Sequence, residues 1–158
     1  MAIVFLAFSL KNNDISVLPT ALALVGFLFF NWHPSKIFMG DAGSTFLGSL
    51  LVCIVFKSES FENSLGILLI SSPILIDCFT CLIFRFFKGY NIFKAHNTHL
   101  YQRLYKAGWS HSLISSFYIG ITFFLSIIYV NFKTIYLYPF IPMIFTIGFY
   151  LNKKIAKS

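Results

Sequence analysis

Long apolar runs alternate with short polar breaks along this chain, at a spacing that suits helices crossing a bilayer. A short apolar piece, Ala2–Leu10, meets the polar turn Lys11–Asp14. The next run, Ser16–Trp32, carries Pro19 in its first turn, where a missing N–H breaks no helical hydrogen bond. It ends on Trp32, an aromatic suited to the membrane–water interface. A third run, Thr45–Phe56, is only twelve residues long; as helix it rises roughly 18 Å, short of a hydrocarbon layer about 30 Å thick. The polar residues before it are therefore expected to lie below the headgroups, unless the bilayer thins around them. Non-helical backbone at that depth is tolerated only where protein buries it or water reaches it. A fourth run, Ser64–Phe87, holds Pro73 and Asp77 within it, with Gly89 as its stop. A polar, basic segment, Lys88–His111, leads to two further spans, Ser112–Asn131 and Thr134–Leu151. The pattern predicts an all-α, polytopic integral membrane helix bundle with five to six transmembrane segments. Residues 1–158 form a single membrane domain in this reading, with polar loops at about 33–44 and 88–111.

Composition agrees. The chain is 58% hydrophobic and 11% charged, against about 45–50% and 25% in soluble domains. The formal charge of +7 raises the question of nucleic acid, but most basic residues flank apolar spans, so a basic membrane-facing surface explains the charge and no nucleic-acid partner is expected. The apolar N-terminus has no basic region before it and does not read as a cleaved signal. Three cysteines, all inside apolar spans, read as packing; a redox or metal pair of Cys78 and Cys81, i,i+3 neighbours on a helix, is the alternative.

Lysine and arginine set the orientation. Nine lie on one side (Lys36, Arg85, Lys88, Lys94, Arg103, Lys106, Lys153, Lys154 and Lys157) and three on the other (Lys11, Lys57 and Lys133). The positive-inside rule places both polar loops and the C-terminus in the cytoplasm, so the two segments with chemistry share a membrane face.

The first of these segments reads "KIFMGDAGSTFLG", Lys36–Gly48. Gly40 and Gly43 permit left-handed or close-approach backbone, and Ser44 is expected to cap the third span. Free amides at a helix start favour an anion, which the neighbouring carboxylate of Asp41 would repel unless a cation intervenes. Mg²⁺ resolves the conflict, because it takes one or two carboxylates together with substrate phosphates. The bland alternative is a capped helix start with a solvated aspartate. No lysine follows the glycines, so this is not a P-loop.

The second segment reads "KAHNTHLYQRLYKAGWSH", Lys94–His111. Asn97 or Thr98 is expected to cap a short helix with Gly108 just past its end. His99, Arg103 and Lys106 would form a basic face, with Leu100, Leu104 and Ala107 an apolar face lying on the membrane surface. His96 and His99 would flank a phosphate; two histidines without a third ligand make zinc a poor fit. The alternatives are a loop for lipid headgroups and a clamp on a pyrophosphate. Asp77 is a third candidate, since an ionisable residue inside a span carries a functional hypothesis by default. A structural acid paired to a neighbouring helix is its alternative.

With these residues in hand, "FFNWHPSKIFMGDAGSTFLGSLL" closely resembles the cytoplasmic signature of the polyprenyl-phosphate N-acetylhexosamine-1-phosphate transferases, glycosyltransferase family 4. The family includes phospho-N-acetylmuramoyl-pentapeptide transferase and O-antigen initiating transferases. "SSPILIDCFTCLIFRFFKGYNIFKAHNTHLYQRL" resembles the family's later proline–aspartate span and histidine loop. The resemblance implies transfer of an N-acetylhexosamine-1-phosphate from a UDP-sugar to undecaprenyl phosphate at the bacterial inner membrane, in cell-envelope polysaccharide synthesis. It implies Asp41 as a Mg²⁺ ligand and His99, with His96, as a contact to the nucleotide-sugar phosphates. Gly40, Gly43 and Ser44 come with the motif. Many members carry His-x-His-His where this chain reads His99-Leu100-Tyr101-Gln102, which brings in Gln102 and Arg103 as phosphate contacts. The family's early paired-aspartate motif and later Asn/Asp-rich motif do not occur here. The chain is thus expected to be the C-terminal half of such an enzyme, inactive alone unless a separately encoded N-terminal half or a homodimer completes it. A non-catalytic membrane fragment binding anionic lipid through its basic loop is the alternative, with a small transporter lined by Asp77 third.

Overall fold

The computed structural model describes residues 1–89 and 99–154, with backbone alone for Phe84 and residues 152–154. Among the described residues every regular element is helical: α1 (Ala2–Asn12), a 3-10 turn (Ile15–Val17), α2 (Leu18–Asn31), α3 (Gly40–Lys57), α4 (Phe61–Ile70), α5 (Ser72–Phe87), α6 (Leu100–Lys106), α7 (His111–Asn131), a second 3-10 turn (Thr134–Leu137) and α8 (Phe140–Lys154). Among the described residues three stretches are long and apolar enough to span a membrane: Gly40–Lys57, His111–Asn131 and Thr134–Leu151. Together, α4 and α5 make up to one more, as a broken span. The protein is an all-α polytopic membrane bundle. A count of five to six segments is reached only by including α1 and Ile15–Asn31, which are apolar but shorter.

Local rules account for several boundaries. Pro19 falls in the first turn of α2. Gly89, at φ +68°, follows α5, and Gly108, at φ +97°, follows α6. Two boundaries differ from expectation. The third span begins at Gly40 rather than Thr45 and runs for 18 residues, roughly 27 Å of rise, so its length by itself no longer calls for a sunken start or a thinned bilayer. The fourth span is not continuous. It breaks at Ser71, and Pro73 lies in the opening turn of α5 instead of kinking a helix interior. Proline gives no N–H to the turn behind it, so the helix of α4 does not run on through this point.

The chain divides into two compact units, Met1–Ser71 with Thr122–Tyr138, and Ser72–Ile121 with Pro139–Ser158. In the first unit, α1 buries Val4, Phe5, Ala7 and Phe8 and packs beside α2, while α3 buries Leu47, Leu51 and Ile54 and packs beside α4. Tyr129 is wholly buried, and its ring lies so close to Gly66 that any Cβ there would overlap it. Polar groups gather where α1, α3, α4 and α7 end or begin. Lys11 Nζ donates to the carbonyls of Tyr129 and Phe132 at the α7 C-terminus, where a cation is favoured. Lys57 Nζ reaches Asp14 Oδ2 at 2.6 Å and Ser16 Oγ at 3.1 Å. Asn63 Nδ2 donates to Asn12 Oδ1 at 3.0 Å, and Thr134 N to Glu62 Oε1 at 3.2 Å.

In the second unit, α6 and α8 pack together and α5 packs on α8. Leu104 on α6, Ile114 on α7 and Leu151 on α8 form the buried cluster, with Leu100, Trp109, Phe117, Tyr118 and Ile147 around it. The apolar face of α6 was expected on the membrane surface. It faces this core instead, and Leu104 is completely buried; Ala107 alone of the predicted face stays exposed.

Candidate functional site

The motif of the first unit begins with a chain reversal. The amides of Lys36 and Ile37 both donate to the Phe30 carbonyl near the end of α2, at 2.8 and 3.3 Å. Asn31 Nδ2 donates to the Ile37 carbonyl at 2.8 Å. These bonds hold the approach to α3. Gly40 then takes φ +67°, a left-handed conformation that costs other L-residues about 1–2 kcal/mol, and the helix starts. Gly43 is needed for space: a Cβ there would overlap Met39 Cγ.

Asp41 lies in the first turn of α3 and is exposed. An acid is favoured at a helix N-terminus, yet no residue caps this one: Met39 holds the N-cap position without a side-chain hydrogen bond. Ser44, expected as the cap, is inside the helix, and its Oγ donates back to the Asp41 carbonyl at 3.0 Å. Among the described residues the Asp41 carboxylate has no hydrogen-bond or ion-pair partner. One hard oxygen ligand is therefore available beside free amides. No three His, Cys, Asp or Glu side chains converge to hold an ion by themselves among the described residues. A Mg²⁺ ion held here would have a single carboxylate from the described residues, which suits an ion that keeps several waters and takes its other ligands from phosphate.

The histidine segment lies in the second unit. His96, Asn97 and Thr98 fall outside the described residues. His99 is extended, at φ −62° and ψ 149°, and occupies the N-cap position of α6 rather than its first turn. It therefore heads the helix instead of continuing a stripe with Arg103 and Lys106. Gln102 Oε1 accepts from the His99 amide at 3.2 Å, so this side chain, expected on a phosphate, secures the helix start. The Arg103 amide donates to the His99 carbonyl at 3.1 Å, and Arg103 is half-buried. The His99 ring stacks on Tyr101, with centroids 5.5 Å apart and planes at 23°.

Asp77 closes this arrangement. Its Oδ1 accepts from the Leu100 amide at 2.8 Å and its Oδ2 from the Tyr118 hydroxyl at 3.2 Å. His99 Nδ1 is 3.9 Å from Oδ1, with the side chains 21% and 9% exposed respectively. Partial burial, and next the Asp77 charge, push the Tyr101 phenol above its ordinary range. Of the alternatives for Asp77, the structure shows the acid paired to neighbouring helices. Sequence reasoning missed Tyr118 as its partner. The available signal was a tyrosine inside an apolar span, since a buried phenol usually finds a partner for its hydroxyl.

The glycosyl transferase family 4 model matches residues 1–59, which include the Asp41 motif. A probable undecaprenyl-phosphate N-acetylglucosaminyl 1-phosphate transferase of Bacillus subtilis (strain 168) is 35% identical over 150 residues, covering 88% of this chain and 42% of that protein. A phospho-N-acetylmuramoyl-pentapeptide-transferase of Leptospira biflexa is 40% identical over 96 residues, covering 58% of this chain and 24% of that protein. One of Clostridium beijerinckii is 33% identical over 130 residues, covering 78% and 38%. No solved structure matches the chain. The chain spans less than half the length of these curated relatives. With the motif at the start of α3 inside the matched region and the likeness to such transferases extending over most of the chain, the protein belongs to glycosyl transferase family 4.

Proposed function

We propose that this chain is part of a cell-envelope transferase that moves an N-acetylhexosamine-1-phosphate from a UDP-sugar to undecaprenyl phosphate, releasing UMP, on the cytoplasmic side of the bacterial inner membrane. The observation that carries this reading is the exposed Asp41 carboxylate, unpartnered among the described residues, at a helix start that no side chain caps. The family match over the same residues supports it.

Both substrates are phosphorylated and repel one another. A phosphate monoester has its second pKa near 6, so the lipid acceptor is largely dianionic at neutral pH and attacks phosphorus without a strong base. The requirement is positive charge near the phosphates. Asp41 would hold Mg²⁺, which when bound offsets charge on the diphosphate and leaving UMP. The α3 amides point their partial positive charge to the same end. His99 and Arg103 would add hydrogen-bond donors to phosphate oxygens, with His96 as a further contact. Gly40 and Gly43 keep the Asp41 turn free of side-chain bulk. The acidic motifs that do not occur in these 158 residues would come from spans outside this sequence, whether encoded with it or separately.

The test is to co-express this chain with the reading frame that encodes the missing spans and follow UMP release from UDP-N-acetylglucosamine in membranes. Release that needs both polypeptides, and that disappears in Asp41→Asn and falls in His99→Ala at unchanged protein levels, supports the assignment. Undiminished release in either variant overturns that residue's role. Binding of the nucleotide sugar to the purified chain, with and without Mg²⁺, separates this reading from a lipid-binding fragment, for which neither addition would register.

A further inference from the structure

Asp77 has no part in the reaction above, yet it is the one carboxylate in the second unit that touches the histidine segment. Three observations converge on it. It accepts from the amide of Leu100, the first residue of α6. It is fixed by the Tyr118 hydroxyl on its other oxygen. It faces Nδ1 of His99 at 3.9 Å, with 9% of its side chain exposed. We propose that Asp77 is the positioning residue of His99: it docks the start of α6 on α5 and holds the imidazole with Nδ1 toward its carboxylate, so that Nε2 is the nitrogen presented outward. The bearing of this on catalysis rests on His99 meeting a phosphate, as proposed above.

A separation of 3.9 Å exceeds a hydrogen bond, so the influence on the ring is electrostatic. A partly buried negative charge on one side of an imidazole favours the proton on the nearer nitrogen, and here it outweighs the Gln102 backbone amide, which faces the same side chain in the capping box without bonding Nδ1. The partner of one ring nitrogen decides the state of the other. The backbone bond does a separate task. It ties the His99–Leu100 peptide to a residue 23 positions earlier, so the N-cap residue cannot swing without losing a charge-assisted bond. Tyr118 holds the carboxylate in the orientation that serves both. The stack of His99 on Tyr101 restricts the ring's remaining rotation.

The test uses the full chain, labelled with ¹⁵N and reconstituted in nanodiscs. It reads the His99 ring nitrogens, assigned by their loss in His99→Gln, at a pH about two units above the ordinary histidine value of about 6.5. It also reads exchange of the Leu100 amide. The wild type is expected in the Nδ1–H form. Asp77→Asn keeps an acceptor for Leu100 but removes the charge, so Leu100 protection stays within about threefold while the ring moves toward the Nε2–H form. Asp77→Ala lowers Leu100 protection by at least about tenfold, the effect of losing a hydrogen bond to a charged group. Tyr118→Phe gives a smaller ring shift in the same direction. A ring signature unchanged in both Asp77→Asn and Tyr118→Phe, or a Leu100 amide equally protected in Asp77→Ala, overturns the proposal. If Asp77→Ala fails to fold, the two conservative variants still decide the matter. No nucleotide enters this measurement. Failure of the wild type to bind the nucleotide sugar would remove the phosphate reading alone, and an unmoved ring in a chain that does bind it would remove the positioning alone.

Discussion

Asp41 and Asp77 each stand at the start of a helix, Asp41 on its own α3 and Asp77 reaching from α5 to the head of α6. Asp41 is exposed and holds nothing among the described residues, at a helix start capped by no side chain. Asp77 is nearly buried and gives one oxygen to the Leu100 amide and the other to Tyr118. One carboxylate is open to a ligand and the other is committed to the fold. An acidic residue in an apolar chain is therefore informative only together with its partners. Partners turn a charge in a span into tertiary glue, whereas a charge without them at an accessible helix start is placed for chemistry.

This contrast has consequences for activity and for stability. The largest effect is expected at Asp41. In the completed enzyme Asp41→Asn should lower turnover by about 10²–10³, the scale for removing one preorganised electrostatic contact, while leaving thermal unfolding of the chain within about 0.5 kcal/mol. A large loss of stability there would erase the distinction between the two acids. Asp77→Ala should do the opposite in the isolated chain, destabilising it by roughly 1.5–3 kcal/mol through the loss of bonds to a charged acceptor, measured by thermal unfolding in detergent. Gly40→Ala tests the turn that presents Asp41. It should cost about 1–2 kcal/mol because Cβ opposes the left-handed conformation, and it should weaken Mg²⁺-dependent nucleotide-sugar binding without touching α6.

Asp14 gives the mildest test, because it lies in a surface turn, partly exposed, yet is paired like Asp77. Its bond with Lys57, then that with Ser16, hold its pKa at about 2, against an ordinary value of 3.8. A depressed folded value means that the contribution to stability is complete above pH 3.8 and fades as pH falls toward 2. Lys57→Met should weaken this acid-side dependence, leaving the part due to Ser16, and added salt should mute it in the wild type. An acid limb that is identical in Lys57→Met would show that the ion pair in the structure carries no weight in solution.

Several elements were legible in the sequence because their causes are local. Pro19 in the first turn of α2, Gly89 and Gly108 at helix ends, and the apolar character of α3, α7 and α8 all follow from residue type and near neighbours. The start of α3 was not legible. Two glycines, a serine and an aspartate read as loop, since each is a modest or poor helix former. The left-handed Gly40, the Ser44 bond to the Asp41 carbonyl and the packing of α3 on α4 carry the helix back through them. The destination of the α6 apolar face was equally hidden. Its periodicity suits a membrane surface and a protein core alike, and only Ile114 and Leu151 decide between them.

By itself the sequence determined that the chain lives in a membrane as helices, and that one short motif joins a carboxylate to glycines and a helix start. Both are matters of composition and adjacent spacing, which a linear string contains in full. Tertiary structure alone decided which acid stays open and which is consumed. Asp77 meets Leu100 and Tyr118 across 23 and 41 residues of chain, and a hydrogen bond depends on distance in space, which separation along the chain does not record.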